Sequence, residues 1–290
     1  MASSLAHRPR LRFAPSPNGR LHLGHAFSAL LTFGAAEALG GEALLRIEDI
    51  DISRCKPEFT RAIFEDLAWL GLRWPEPVLV QSTRFAAYRA AAEALERRGL
   101  LYPCFCSRRE VAADATHVDP DGGPRYGGRC RHLAQGDRDR AIAAGAPHLF
   151  RLDMARAIAE AGRPEIPEAE ILPDHRLGSP TLRASDPARW GDVVLVRRDI
   201  PTSYHLAAVL DDAHQGITHV TRGADLLAAT DIHVLLQRLL DLPHPVYAHH
   251  GLVRDAGAEK LAKSRGSESL ADLRARGWTP ADIRARLGFG

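Results

Sequence analysis

The sequence predicts an α/β fold built on a parallel sheet, and the order of its segments carries that prediction. Strand-like and helix-like segments alternate through the first hundred residues. The alternation stops between residues 102 and 191, where Gly, Pro and three cysteines accumulate, and it then resumes to His249. Strands separated by single helices favour right-handed crossovers and parallel pairing.

Each element follows from local signals. Leu11 to Ala14 reads as a strand ending in Pro15-Ser16-Pro17. A helix is expected from Gly24 to Leu39, stopped by Gly40-Gly41. Ala43 to Ile47 is a second strand, and Phe59 to Leu70 a helix with Ile63, Leu67 and Leu70 on one face. Val78 to Val80 is a strand, followed by an Ala-rich helix from Thr83 to Arg98 that ends at Gly99. The second half predicts strands at Val193 to Val196, Ile217 to Thr221 and Val246 to His249. Helices from Ser203 to His214 and Leu226 to Leu240 lie between them, and a short helical tail closes the chain. The expected organisation is 1–101 for the first half of the main domain, 102–191 for an insert, 192–265 for the second half, and 266–290 for the tail.

Composition narrows the function classes. The 290 residues are 45% hydrophobic and 26% charged, enough apolar material for a large core. No apolar run reaches the roughly 18 residues of a membrane span. Met1 to Arg12 lacks the apolar stretch of a secretory signal, so a cytoplasmic protein without membrane partners is expected. Four cysteines are too few for a disulfide scaffold and are expected reduced or on a metal. With 38 basic and 36 acidic residues, nucleic-acid binding would need a local basic face. The stretch from Lys260 to the end, with seven basic and three acidic residues, leans that way.

The sharpest motif is the run from Arg12 to His25, a strand, a loop and a helix start containing His22-Leu23-Gly24-His25. Helix N-termini carry unpaired N–H groups and partial positive charge, so they suit phosphate. Gly24 would let a ligand approach the backbone. His22 and His25 can donate hydrogen bonds to phosphate oxygens, although two histidines three apart also suit a metal or a plain helix start. Lys260 and Lys263, in Lys-Leu-Ala-Lys-Ser264, could clamp a polyphosphate; by themselves they read equally well as a solvated loop.

Together these two runs resemble the signatures of the class I aminoacyl-tRNA synthetases, in the same chain order. Leu261 and Ala262 depart from the usual second signature, Lys-Met-Ser-Lys-Ser, while both lysines remain. The run Arg12 to His25 resembles the glutamyl branch. The resemblance implies a Rossmann-type catalytic domain and ATP-dependent activation of L-glutamate, with Mg²⁺ on the ATP. It implies ATP contacts for His22, Gly24, His25 and Lys263, with His22, His25, Lys260 and Lys263 serving the chemistry. Arg12, Phe13, Ala14, Pro15, Ser16, Glu48, Tyr204 and Arg222 fall on that branch's glutamate-binding positions. Taken alone, strand-end Arg12, Glu48 and Arg222 could simply pair with one another, and Tyr204 could be core. Asp199, Asp211 and Asp212 look like the branch's acidic run, and Asp211, Asp212 and His214 are expected to be structural.

Cys104-Phe-Cys106 and Cys130 could supply three ligands for tetrahedral zinc. Spacing alone makes His117 or His132 a more conventional fourth ligand than Tyr126, whose phenol must lose a proton with a pKa of about 10. Cys104, Cys106, Tyr126 and Cys130 are similar to the zinc site of a short paralogous group in the same family, the glutamyl-Q tRNA(Asp) synthetases. That likeness implies one structural zinc with all four as ligands, and leaves Cys55 as an unligated thiol. The group lacks an anticodon-binding region, and only 26 residues follow Ser264 here. It uses tRNA(Asp) containing queuosine as acceptor; a monomer is expected. Two other readings remain: a minimal enzyme charging tRNA(Glu), or a non-catalytic nucleotide- or RNA-binding relative.

Overall fold

The computed structural model describes residues 8–253 and 268–289. Strands β1 (Arg10–Phe13), β2 (Glu42–Ile47) and β3 (Leu79–Val80) pair in parallel, joined by helices α1 (Leu23–Ala38) and α2 (Pro57–Trp69). Helix α3 (Phe85–Arg97), which follows a 3-10 turn over Gln81–Arg84, leads to β4 (Leu101–Cys104). Next come α4 (Arg108–Asp114), α5 (Gln135–Ala143), β5 (Leu149–Leu152), α6 (Met154–Ala161), β6 (Glu165–Glu168) and β7 (Thr181–Ala184). The chain continues through β8 (Val194–Val196), α7 (Tyr204–His214), β9 (His219–Gly223), α8 (Thr230–Leu239) and β10 (Val246–His250). Helices α9 (Leu270–Ala275) and α10 (Pro280–Leu287) follow.

The two halves of the main sheet meet at β1 and β9. Thr218 donates its backbone N–H to the Arg10 carbonyl at 2.9 Å, and the Arg10 N–H donates to Thr218 Oγ1 at 2.9 Å. Strand β9 then pairs in parallel with β10, and β10 with β6. Two sheets, β3-β2-β1 and β9-β10-β6-β7, therefore abut where β1 meets the start of β9, with β7 antiparallel at the far edge, and the direction of growth reverses between β1 and β9. Ligands of open α/β sheets bind at such a switch point, beyond the carboxyl ends of the strands.

The elements expected from sequence form, with ends displaced by a few residues for local reasons. Helix α2 starts at Pro57, whose fixed φ and missing N–H suit a first helical position. Helix α8 starts at Thr230 because Ala224–Leu226 makes a separate 3-10 turn. The stretch 102–191 is not one detached layer. Strands β4, β5 and β8 make a separate antiparallel sheet, whereas β6 joins the main sheet beside β10. Leu152 and Leu195 of the small sheet share a core with Leu206 of α7 and Ile232, Leu235 and Leu236 of α8. In the tail, Leu270, Leu273 and Ile283 are buried against Ile63, Leu67 and Leu70, and the Leu270 N–H donates to the Leu21 carbonyl at 2.8 Å. No helix among the described residues is long and apolar enough to cross a membrane.

Candidate active site

A cleft of about 970 Å³ opens over the carboxyl ends of β1, β2 and β9. Its walls include Arg12, Phe13, Ala14, Pro15, Ser16, His22, Gly24, His25, Glu48, Tyr204 and Arg222, so the structure gathers these expected residues in one place. Lys260 and Lys263 lie outside the described residues.

The α1 start is built around two imidazoles. His22 is the N-cap, and its Nδ1 accepts the Gly24 N–H at 3.1 Å. His25 Nδ1 accepts the His22 N–H at 3.1 Å. Because both Nδ1 atoms act as acceptors, each neutral ring carries its proton on Nε2. The first turn of α1 holds no acidic residue, and a helix N-terminus carries partial positive charge. Gly24 lines the cleft and also has a local packing role. A Cβ there would stand 3.0 Å from His22 Cε1, so the open space is used by the capping ring.

The floor of the cleft is a charge network. Arg12 donates to Asp212 through Nε at 2.8 Å and Nη2 at 3.4 Å. Arg46 donates to the same carboxylate at 2.7 Å and to Glu48 at 3.0 Å. Burial pushes the Asp212 carboxyl up, but Arg12 and Arg46 outweigh it and hold the pKa below the usual range. For Glu48 burial wins over Arg46 and Arg12, and its pKa is raised. Asp211 turns the other way, accepting from Gln81, Arg84 and Tyr88, which pins α3 to α7. Asp199 pairs with Arg197 at the surface.

Arg222, at the end of β9, is buried beside this network but apart from its carboxylates. Its hydrogen bonds go to uncharged groups: His249 Nε2 at 3.2 Å, His233 Nδ1 at 3.1 Å, Thr230 Oγ1 at 2.7 Å and Tyr204 Oη at 3.4 Å. Tyr204 is the first residue of α7, whose N-cap Ser203 fixes the entry of the helix. Burial and the nearby Arg222 charge lower the pKa of His249 to about 4, and that of His233 well below the ordinary value, so both are neutral. Sequence reasoning missed Arg46, Thr230, His233 and His249. His249 alone had a visible signal, since it ends the last strand expected from the sequence, Val246 to His249.

The cysteines cluster beyond β4. Cys104, Cys106 and Cys130 are buried with their sulfurs all within 4.8 Å of one another. Tyr126 is buried beside them, its oxygen 3.7 Å from Cys106 Sγ and accepting the Cys130 N–H at 2.7 Å. His117 and His132 are exposed and stand outside the cluster. Without a cation, burial and the neighbouring Cys130 push the Cys106 thiol up to about 12. Three thiols and a phenol buried together fit a tetrahedral thiophilic cation. The Arg151 guanidinium, 3.9 Å from the Tyr126 ring centroid, would offset the negative charge of such a site. Cys55 is half-buried, 3.8 Å from Ser16 Oγ, and burial raises its pKa.

Comparison with known proteins matches this geometry to a family. The profile of the class I tRNA synthetases (E and Q), catalytic domain, matches residues 9–287. The chain is 50% identical over 284 residues to the glutamyl-Q tRNA(Asp) synthetase of Rhodobacter capsulatus, covering 96% of this chain and 99% of that protein. It is 38% identical to the glutamyl-Q tRNA(Asp) synthetase of Symbiobacterium thermophilum, covering 96% and 85%. Among solved structures, the glutamate tRNA ligase of Elizabethkingia meningosepticum in complex with its amino acid superposes with a TM-score of 0.71 at 28% identity. That match covers 94% of this chain and 54% of the ligase, so the chain spans about half the length of that enzyme. The strand order, the capped histidine pair at the switch point and these matches agree: the chain belongs to the class I tRNA synthetases of the E and Q type and is a ligase of that class.

Proposed function

We propose that the enzyme activates L-glutamate with ATP and transfers the glutamyl group to queuosine in tRNA(Asp). The observation that carries the amino-acid half is Arg222, a buried guanidinium in the cleft wall that makes no ion pair among the described residues. Burying a cation without a counter-ion is costly, and an incoming side-chain carboxylate supplies one. Arg12 is already paired with Asp212, so it adds a second cation whose charge is partly spent. Glu48 faces the substrate ammonium, which would draw its raised pKa back down. Phe13, Ala14, Pro15 and Ser16 form the wall along which the amino acid lies, and Tyr204 closes it beside Arg222.

Activation is in-line attack of the glutamate α-carboxylate on the α-phosphorus of ATP. The new bond is carboxylate oxygen to phosphorus, and the broken bond releases pyrophosphate. The nucleophile is already an anion, so the protein's task is placement and charge stabilisation. The Nε2–H groups of His22 and His25 donate to the phosphates, Gly24 shapes the helix start beneath them, and Lys260 and Lys263 neutralise the leaving pyrophosphate. Mg²⁺ travels on the ATP phosphates with few protein ligands. A hydroxyl of the queuosine ring diol then attacks the adenylate carbonyl and AMP leaves. The names of the Rhodobacter and Symbiobacterium relatives support this acceptor. Cys104, Cys106, Tyr126 and Cys130 hold one structural zinc, which would tie the segments around β4 and Cys130 together.

The test is transfer of labelled glutamate to tRNA from cells with and without queuosine. Label only on queuosine-containing tRNA(Asp) is expected. Label on tRNA(Glu) regardless of queuosine would overturn the acceptor. No label on either, with ATP still bound, would replace this reading with that of a non-catalytic nucleotide- or RNA-binding relative.

A further inference from the structure

Arg222 sits at the hub of two hydrogen-bonded chains that have no other evident task. Along one, Arg222 Nε donates to His249 Nε2, and His249 Nδ1 lies 2.9 Å from Glu168 Oε1. Glu168, on β6, is itself held by Arg183 at 2.6 Å. Along the other, Arg222 Nη1 donates to His233 Nδ1, and His233 Nε2 lies 3.3 Å from His205 Nδ1. Donor and acceptor directions are fixed throughout. A guanidinium can only donate, so the facing nitrogens of His249 and His233 must be acceptors, and their protons sit on the far nitrogens. The His249 proton then points at Glu168, and the His233 proton at His205.

This arrangement places a carboxylate one imidazole away from Arg222 instead of against it. The alternative is visible a few residues off, where Arg12 and Arg46 rest directly on Asp212. An arginine on a carboxylate is nearly neutral as a pair and offers little to a second carboxylate. An arginine held by imidazoles and a threonine hydroxyl is equally well positioned and keeps its charge.

The geometry points to His249 and His233 as positioning residues that hold Arg222 in place as an uncompensated cation, so that the site selects a side-chain carboxylate over the side-chain amide of the same length. Glu168 acts through His249 by fixing its ring and tautomer. The inference rests on the proposed activation of glutamate and extends it to discrimination against glutamine.

Pyrophosphate exchange with glutamate and with glutamine, with KM and kcat measured separately, provides the test. His249→Leu is expected to raise the KM for glutamate about tenfold or more, with a much smaller change in kcat and in the KM for ATP. His249→Gln, which returns an acceptor oxygen near the Nε2 position, is expected to recover most of that loss. His249→Glu puts a carboxylate on Arg222, and the preference for glutamate over glutamine is expected to fall by about a hundredfold. Circular dichroism and thermal melting establish that each variant is folded. A variant that melts early is replaced by Glu168→Gln, for which a raised glutamate KM is again expected. Equal losses for glutamate and ATP in folded variants, or an unchanged glutamate preference in His249→Glu, would overturn the inference while leaving the activation reading intact. A wild-type enzyme with no exchange dependent on glutamate would overturn that reading and the inference with it.

Discussion

Asp212 takes Arg12 in a two-pronged contact, with Nε 2.8 Å and Nη2 3.4 Å from its two oxygens, and all of the charged atoms are buried. The same carboxylate also accepts from Arg46, a guanidinium with no exposed surface. One buried anion therefore organises two cations in the cleft floor. Asp212→Asn leaves both arginines underpaired and is expected to cost about 3–5 kcal/mol at neutral pH. The pKa of Asp212 is lower folded than unfolded, so its contribution is present above the ordinary carboxylate pKa and is lost as pH falls through the depressed value. Urea titrations of wild type and variant should differ most from pH 6 to 8 and converge in acid. A stability gap independent of pH would contradict the assignment.

The capping geometry at α1 allows the two duties of His25 to be separated. Its Nδ1 holds the His22 N–H, and its Nε2 is the donor proposed for phosphate. His25→Asn keeps an acceptor near the Nδ1 position and removes the Nε2 donor. Glutamate-dependent pyrophosphate exchange is expected to fall about a hundredfold, with the melting temperature nearly unchanged. A comparable loss of stability, or normal exchange, would remove His25 from the phosphate site.

The fold class and the cleft were legible in the sequence because they rest on strong local signals. Alternating apolar segments set the βαβ order, and the dense run from Arg12 to His25 sits where a strand meets a helix. Strand β6 was not legible. It is four residues long, contains Pro167, and buries only Ile166 fully. Its place beside β10 is set by tertiary pairing, which no local pattern announces. The partners of Arg222 were hidden for a related reason. Thr230 and His233 are eight and eleven residues away in sequence, His249 is twenty-seven away, and they meet only when β9, α8 and β10 pack. The surroundings of the cysteine cluster were hidden by the same limit. Spacing favoured a histidine, whereas the folded chain leaves His117 and His132 at the surface and puts Tyr126 among the sulfurs.

Asp66 of α2 gives a pH signature away from the cleft. It is buried, and neither carboxylate oxygen has a hydrogen-bond partner among the described residues. Arg274 of α9 approaches only to 3.7 Å. Burial lifts the Asp66 pKa to about 6, against the pull of Arg274 and Arg20. A carboxyl whose folded pKa is raised binds its proton more tightly in the native state. The resulting stability is present below the unfolded pKa and is lost as pH rises from about 4 to about 6. The cost above pH 6 is on the order of 2–3 kcal/mol. Asp66→Asn is expected to flatten that part of the stability profile and to be more stable than wild type at pH 8. An unchanged slope between pH 4 and 6 would show that Asp66 does not titrate there.

The proposed zinc site makes a prediction that distinguishes its fourth ligand. The purified protein is expected to contain about one zinc per chain, by elemental analysis after dialysis. Cys104→Ser removes a sulfur from the centre of a buried cluster and should abolish the metal and lower the melting temperature. Tyr126→Phe removes only the oxygen that lies beside Cys106 and accepts the Cys130 N–H. It is expected to weaken zinc retention against a competing chelator by tenfold or more, whereas His117→Ala and His132→Ala retain zinc as wild type does. The direction of the effect follows from charge. Three thiolates and a phenolate carry four negative charges, which Zn²⁺ half neutralises, and Arg151 over the Tyr126 ring supplies the next positive charge. Arg151→Met should therefore also loosen the metal, although Arg151 is not a ligand. Absence of zinc from the wild type would end this reading. Loss of zinc in His132→Ala with retention in Tyr126→Phe would return the fourth position to histidine and require the exposed His132 side chain to turn inward.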